Sequence, residues 1–159
     1  MILYTPKSRD IRHPTPNDVC ELLKQEADFW EQGTGSGSAS LSSSDDPTKR
    51  KDELMFYRVS GYGYAVFEMF SYKAPIDEKK DRSVIIAHNV GGEPFPIPSC
   101  FYMDYEQAEE ILLHYLHTGE ILNYDKWQDI HDGFDYDAYY ESDEYYSGIT
   151  VFTGFQIRA

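Results

Sequence analysis

One helix, marked at both ends, limits what this chain can fold into more than any other feature. Asp104 stands where a carboxylate can accept the first free backbone N–H groups, and Gln107 three residues on is placed to reciprocate as a capping box. Ala108, Ile111, Leu112, Tyr115 and Leu116 then recur at helical spacing, which predicts a core-facing stripe. Gly119 follows as a left-handed cap. Such a stripe must lie on something, and the flanking sequence offers strands. Leu54–Val59 and Tyr64–Phe70 flank Gly61-Tyr62-Gly63 and read as a hairpin, Ser83–His88 as a further strand, and Ile149–Phe152 as a last one. An earlier helix is predicted from Thr15-Pro16, a capping hydroxyl before a proline at the first helical position, with Val19, Leu22, Leu23, Ala27 and Trp30 on one face and Gly33 as its end. The order is helix, strands, helix, acidic segment and strand. It predicts an α+β fold, a mostly antiparallel sheet packed with two main helices, in a single domain over 1–159.

Two stretches are expected to stay irregular. The Gly/Ser-rich tract at 33–52 has almost no apolar side chain beyond Leu41 to repay its ordering entropy, so it reads as a mobile loop. It is no phosphate loop, because no Gly-Lys-Ser/Thr closes the glycine run. Gly91-Gly92, followed by Pro94, Pro96 and Pro98, is expected to exclude regular structure until about Cys100.

With 41% hydrophobic and 16% aromatic residues, the chain is too apolar to be disordered. No apolar run approaches the roughly 20 residues of a membrane helix, and Met1 opens no signal-peptide pattern. The expectation is a cytoplasmic protein with no membrane partner, whose two cysteines, Cys20 and Cys100, are buried free thiols.

Charge is distributed unevenly. Residues 1–82 carry 12 Lys/Arg against 14 Asp/Glu, whereas residues 83–159 carry only Lys126 and Arg158 against 14 Asp/Glu. The second half therefore repels nucleic acid and anionic membranes and attracts a basic protein. The acidity is concentrated in an acidic, aromatic segment at 129–147. Between Asp129 and Tyr146 lie seven carboxylates, no Lys or Arg, and the rings of Phe134, Tyr136, Tyr139, Tyr140, Tyr145 and Tyr146.

Catalytic patterns are weak by comparison. His114 and His117 share a helical spacing near Glu110, but the core stripe turns both toward solvent. There is no Gly-x-Ser-x-Gly elbow, no Cys-x-x-Cys and no zinc-deaminase signature. Asp135-x-Asp137 opens like a calcium loop, but Tyr139 and Tyr140 follow and the required glycine is missing. The expectation is a binding protein without catalytic residues, cofactor or metal. Its predicted contact set is Asp132, Phe134, Asp135, Tyr136, Asp137, Tyr139, Tyr140 and Glu141. Carboxylates would steer a basic partner in, while tyrosines would supply hot-spot contacts. The alternatives are an acidic DNA mimic or an adaptor for another basic partner, and, as a different class, a hydrolase using paired carboxylates.

One stretch resembles a known family. Phe95-Pro96-Ile97-Pro98, the helix Tyr105–Thr118, the element Leu116-His117-Thr118-Gly119-Glu120, and Trp127 eight residues after the glycine are similar to the Imm1 family of bacterial immunity proteins. The similarity spans roughly residues 64–128, and these residues read as scaffold, with Trp127 expected over the C-terminal end of the helix. The 33–52 tract and the acidic segment look like private insertions. The resemblance implies an antitoxin-like role in a polymorphic toxin system. The chain would neutralise a cognate toxin domain, of a kind that often attacks nucleic acid as a deaminase or nuclease, without itself touching nucleic acid.

Overall fold

A computed structural model describes residues 1–7, 9–31, 36–132 and 135–141, and the backbone of a strand at 150–153. Along the chain run β1 (Ile2–Tyr4), β2 (Asp10–Arg12), α1 (Pro16–Leu23), α2 (Ala27–Trp30), β3 (Ala39–Ser42), β4 (Glu53–Val59), β5 (Gly63–Glu68), β6 (Lys73–Ala74), β7 (Val84–Val90), β8 (Glu93–Pro98), β9 (Tyr102–Met103), α3 (Tyr105–Thr118), β10 (Gln128–Asp129), α4 (Tyr136–Tyr140) and β11 (Thr150–Thr153). The larger sheet has the order β10-β6-β5-β4-β3-β1-β2, with β9 sharing the outer edge of β5. A smaller sheet has the order β11-β7-β8. Among the described residues every pairing is antiparallel, so the α+β class expected from the sequence is what forms.

Alternation along the central strands creates three layers. Phe56 of β4 packs against Trp30 of α2, with ring centroids 6.1 Å apart, while the next residue, Tyr57, stacks on His88 of β7 at 4.2 Å. On β5, Tyr64 donates its hydroxyl to the Leu23 carbonyl of α1 and meets Tyr105 of α3, whereas Phe67 stacks on Phe95 of β8 at 5.4 Å. Helices thus cover one face of the large sheet and the small sheet covers the other.

The marked helix forms at the expected place, with one half of the expected capping box: the Asp104 side chain caps it, and the Gln107 side chain does not reciprocate. Asp104 accepts from the Gln107 N–H at 2.9 Å, Gly119 sits at φ 71°, and Ala108, Ile111, Leu112 and Tyr115 are buried, with Leu116 partly so. The first helix differs, because it breaks after Leu23. The Leu23 carbonyl, which an unbroken helix would give to Ala27, accepts the Tyr64 hydroxyl instead, and α2 restarts at an angle that buries Trp30. Trp127 is buried beside Tyr124 and shares a cavity with Gln107, Glu110 and Ile111, so it flanks the first half of α3 rather than its C-terminal end.

Both segments expected to be irregular include strands. Within the supposed mobile loop at 33–52, β3 lies inside the large sheet, between β1 and β4. Ala39 and Leu41 enter the core. Ser40, also buried, donates to the Glu53 carboxylate at 2.6 Å, so its hydroxyl keeps a partner. The turn that follows is tied down by Arg50, whose guanidinium donates to the Ser44 carbonyl at 2.9 Å and the Tyr4 hydroxyl at 2.7 Å and pairs with Glu53. Residues 33–35 lie outside the described residues. Small side chains allowed a close-packed strand where a count of apolar residues suggested none.

The proline-rich segment is β8, an edge strand paired with β7 from Val90↔Glu93 to Ile85↔Pro98. Prolines at every second position place all three missing N–H groups on the outer rim, leaving Glu93, Phe95 and Ile97 to carry the ladder. Gly91 and Gly92, at φ 65° and 91°, make the hairpin turn.

Candidate partner-binding surface

The outer face of the small sheet carries Ile85 and Ala87 of β7, and a short helix covers them. Asp135 caps α4 by accepting the Ala138 N–H at 3.1 Å. Three residues apart on this helix, Tyr136 and Tyr139 face the same way. Tyr139 is fully buried against Ile85 and Ala87, with Tyr136 packed beside it. The Tyr136 hydroxyl donates to the Pro96 carbonyl at 3.2 Å, and burial pushes its pKa well above the ordinary value.

These facts revise the predicted contact set. Tyr139 cannot meet a partner from inside the core; it anchors α4 to the sheet, and the half-buried Tyr136 does the same. Asp135 is half-buried at the helix cap. Asp132, Asp137, Tyr140 and Glu141 are exposed, the last three on α4 and its C-terminal cap, Tyr140 with 45% of its area open. Phe134 lies outside the described residues, as does the acidic stretch from 142 to 149.

Sequence reasoning missed a second part of the surface. Met69 and Phe70 read as the end of a strand, but β5 stops at Glu68 and the chain turns sharply. The Glu68 carboxylate, itself buried, organises the turn by accepting from the backbone N–H groups of Phe70 at 3.1 Å and Ser71 at 2.6 Å. Tyr72 is held at φ 55°, a left-handed conformation that is unfavourable for a bulky residue. Two backbone bonds keep it there: its N–H donates to the Glu68 carbonyl at 2.8 Å, and its carbonyl accepts from Ile130 at 2.9 Å. The turn leaves Met69, Phe70 and Tyr72 exposed at 37%, 59% and 39%. The available signal was an apolar run overshooting a strand of ordinary length into Ser71.

A path of ring contacts joins the two parts. Tyr72 lies 4.7 Å from His131, His131 lies 4.7 Å from Tyr136, and Tyr136 lies 6.2 Å from Tyr140, centroid to centroid. Asp129 holds His131 in place, one carboxylate oxygen accepting from its backbone N–H at 2.8 Å and meeting Nδ1 at 3.0 Å. The result is a continuous aromatic ridge whose two ends are open to solvent.

Elsewhere, His114 is half-buried and His117 exposed, and among the described residues no group of three or more His, Cys, Asp or Glu side chains could hold a metal ion. His88 is wholly buried, its Nε2 bonded to the Gly37 carbonyl at 2.8 Å, and burial lowers its pKa. Cys100 is a buried free thiol, whereas Cys20 is only half-buried beside Glu109; burial raises the pKa of both. Among the described residues, no helix is long and apolar enough to cross a membrane. No protein-family model, curated protein or solved structure matches this chain.

Proposed function

We propose that this chain is a cytoplasmic immunity protein of the Imm1 type, which binds the catalytic domain of a cognate toxin and blocks its substrate cleft. The observation that carries this reading is the outward face of α4 and the turn before it. Asp137 and Glu141 lie beside the exposed Tyr140 there, with the exposed Asp132 shortly before the helix, and the helix is anchored by two buried or half-buried tyrosines. A toxin domain that acts on nucleic acid carries a basic cleft for phosphates. Carboxylates on a fixed support can occupy such a cleft as phosphate mimics, and their field speeds the encounter. A preorganised surface also loses little entropy on docking.

The test is co-expression with a candidate cognate toxin domain, sought as the C-terminal domain of a large secreted protein encoded next to this chain's gene. The chain should rescue growth, and the purified pair should associate at a rate that falls steeply with salt. Changing Asp132, Asp137 and Glu141 together to Asn or Gln should slow association about tenfold and flatten that salt dependence, since rim charges act mainly on the on-rate. Failure to rescue, with no complex in vitro, would dismiss the proposal.

A further inference from the structure

We infer that the docking surface extends from α4 across the aromatic ridge to the β5–β6 turn, where Phe70 is an apolar plug for a pocket on a basic protein domain. This rests on the partner-binding function proposed above and adds residues and a contact chemistry that it did not contain.

Phe70 is the most exposed large apolar side chain among the described residues, at 59%, and Met69 and Tyr72 on the same turn are open as well. Three such side chains on one four-residue turn form a patch of the kind that marks protein contacts rather than ordinary surface. The turn is also rigid. A buried carboxylate holds two of its N–H groups, and Tyr72 is kept in an unfavourable backbone conformation by bonds at both its N–H and its carbonyl. Strain of this sort persists only where the surroundings over-determine it, and it concentrates at functional sites.

Charge identifies the occupant. Glu120 lines the same depression as Phe70, Asp129 fixes the His131 ring that touches Tyr72, and Asp137 and Glu141 flank Tyr140 at the far end of the ridge. Cations nearby are directed at their own neighbours: Lys73 lies over the Tyr124 ring at 5.3 Å, and Arg82 donates to the Gln128 side chain at 3.2 Å. Lys51, in the depression beside Phe70, is one base against this acidic rim. A second copy of the chain would bring the same carboxylates and a net charge of −14, so self-association through this face is opposed. A lysine- and arginine-rimmed protein surface with an apolar pocket is complementary on both counts.

The experiment measures binding of the full chain to the co-expressed toxin domain by surface plasmon resonance, with sedimentation of the chain alone. Phe70→Ala should keep the wild-type melting temperature and dissociate about thirtyfold faster, the size expected of a central anchor. Its dependence on salt should not change, in contrast to the carboxylate variants. Phe70→Leu should recover most of the lost lifetime, because a pocket accepts another large apolar group. If wild type binds and Phe70→Ala dissociates within twofold of it, the plug assignment is wrong while the immunity function stands. If wild type does not bind, both fall. A concentration-dependent dimer abolished by Phe70→Ala would make the occupant a second copy and overturn the inference.

Discussion

β3 and α4 are opposites in composition and opposites in placement. β3 is Ala-Ser-Leu-Ser, and all four residues are buried in the middle of the large sheet. α4 is Tyr-Asp-Ala-Tyr-Tyr, and of its five residues only Tyr139 is fully enclosed. Hydrophobicity alone would have exchanged them. What places β3 inside is its backbone, paired on both sides, with side chains small enough to let the layers close and hydroxyls that find partners in Glu53 and the Ser44 carbonyl. What leaves α4 outside is its length: five residues have one narrow face to bury, and the rest must meet solvent or a partner.

That contrast can be broken at its buried side first. Replacing residues 38–43 with glycines should abolish cooperative unfolding in urea, because an interior strand is lost. Leu41→Ala alone should cost about 2–5 kcal/mol, measured from the same transition. An unchanged midpoint for either variant would mean that β3 does not pair in solution.

Two neighbouring tyrosines sharpen it. Tyr139→Ala should destabilise the fold by about 3 kcal/mol or more, as loss of an enclosed ring does, whereas Tyr140→Ala should shift stability by less than about 0.5 kcal/mol. Thermal melts of the two variants give the comparison directly, and equal shifts would show that α4 is not seated on Ile85 and Ala87.

The smallest effect expected is a pH response from His88. Its ring is neutral and buried between Tyr57 and the Gly37 carbonyl, and its folded pKa lies below the ordinary 6.5. The unfolded chain therefore binds this proton more readily. The stabilisation is complete above pH 6.5 and is lost progressively as pH falls through the lower folded value. Urea midpoints from pH 7.5 to 5 should decline, and His88→Gln should flatten that limb. A wild-type midpoint that rises toward pH 5 would contradict the assignment.

Much of the scaffold was legible because its signals are local. The Asp104 cap, the Gly119 terminus and the Gly61-Tyr62-Gly63 turn each act within a few residues. β3 was not legible, since its burial depends on partners 36–40 residues upstream in β1 and 11–17 residues downstream in β4. β8 failed for a subtler reason: three prolines break a central strand but suit an edge when they fall on one parity, and nothing local reveals which strand is an edge. The candidate surface was half legible. Composition pointed to the acidic tyrosines, and Asp132, Asp137, Tyr140 and Glu141 are all exposed. Whether a given ring points in or out was decided by the packing of α4 on β7, and the β5–β6 turn was hidden because Phe70 resembles one more strand residue.

The proline rim of β8 has a consequence for how this protein behaves when crowded. A sheet edge with a full row of donors and acceptors can recruit any extended chain, including another copy during synthesis or partial unfolding. Three consecutive gaps in the donor row remove the template for that growth without weakening the bond to β7. Strand exchange and fibril nucleation are disfavoured along this rim. Along this rim recognition is left to side chains, which can discriminate, rather than to backbone pairing, which is largely blind to sequence.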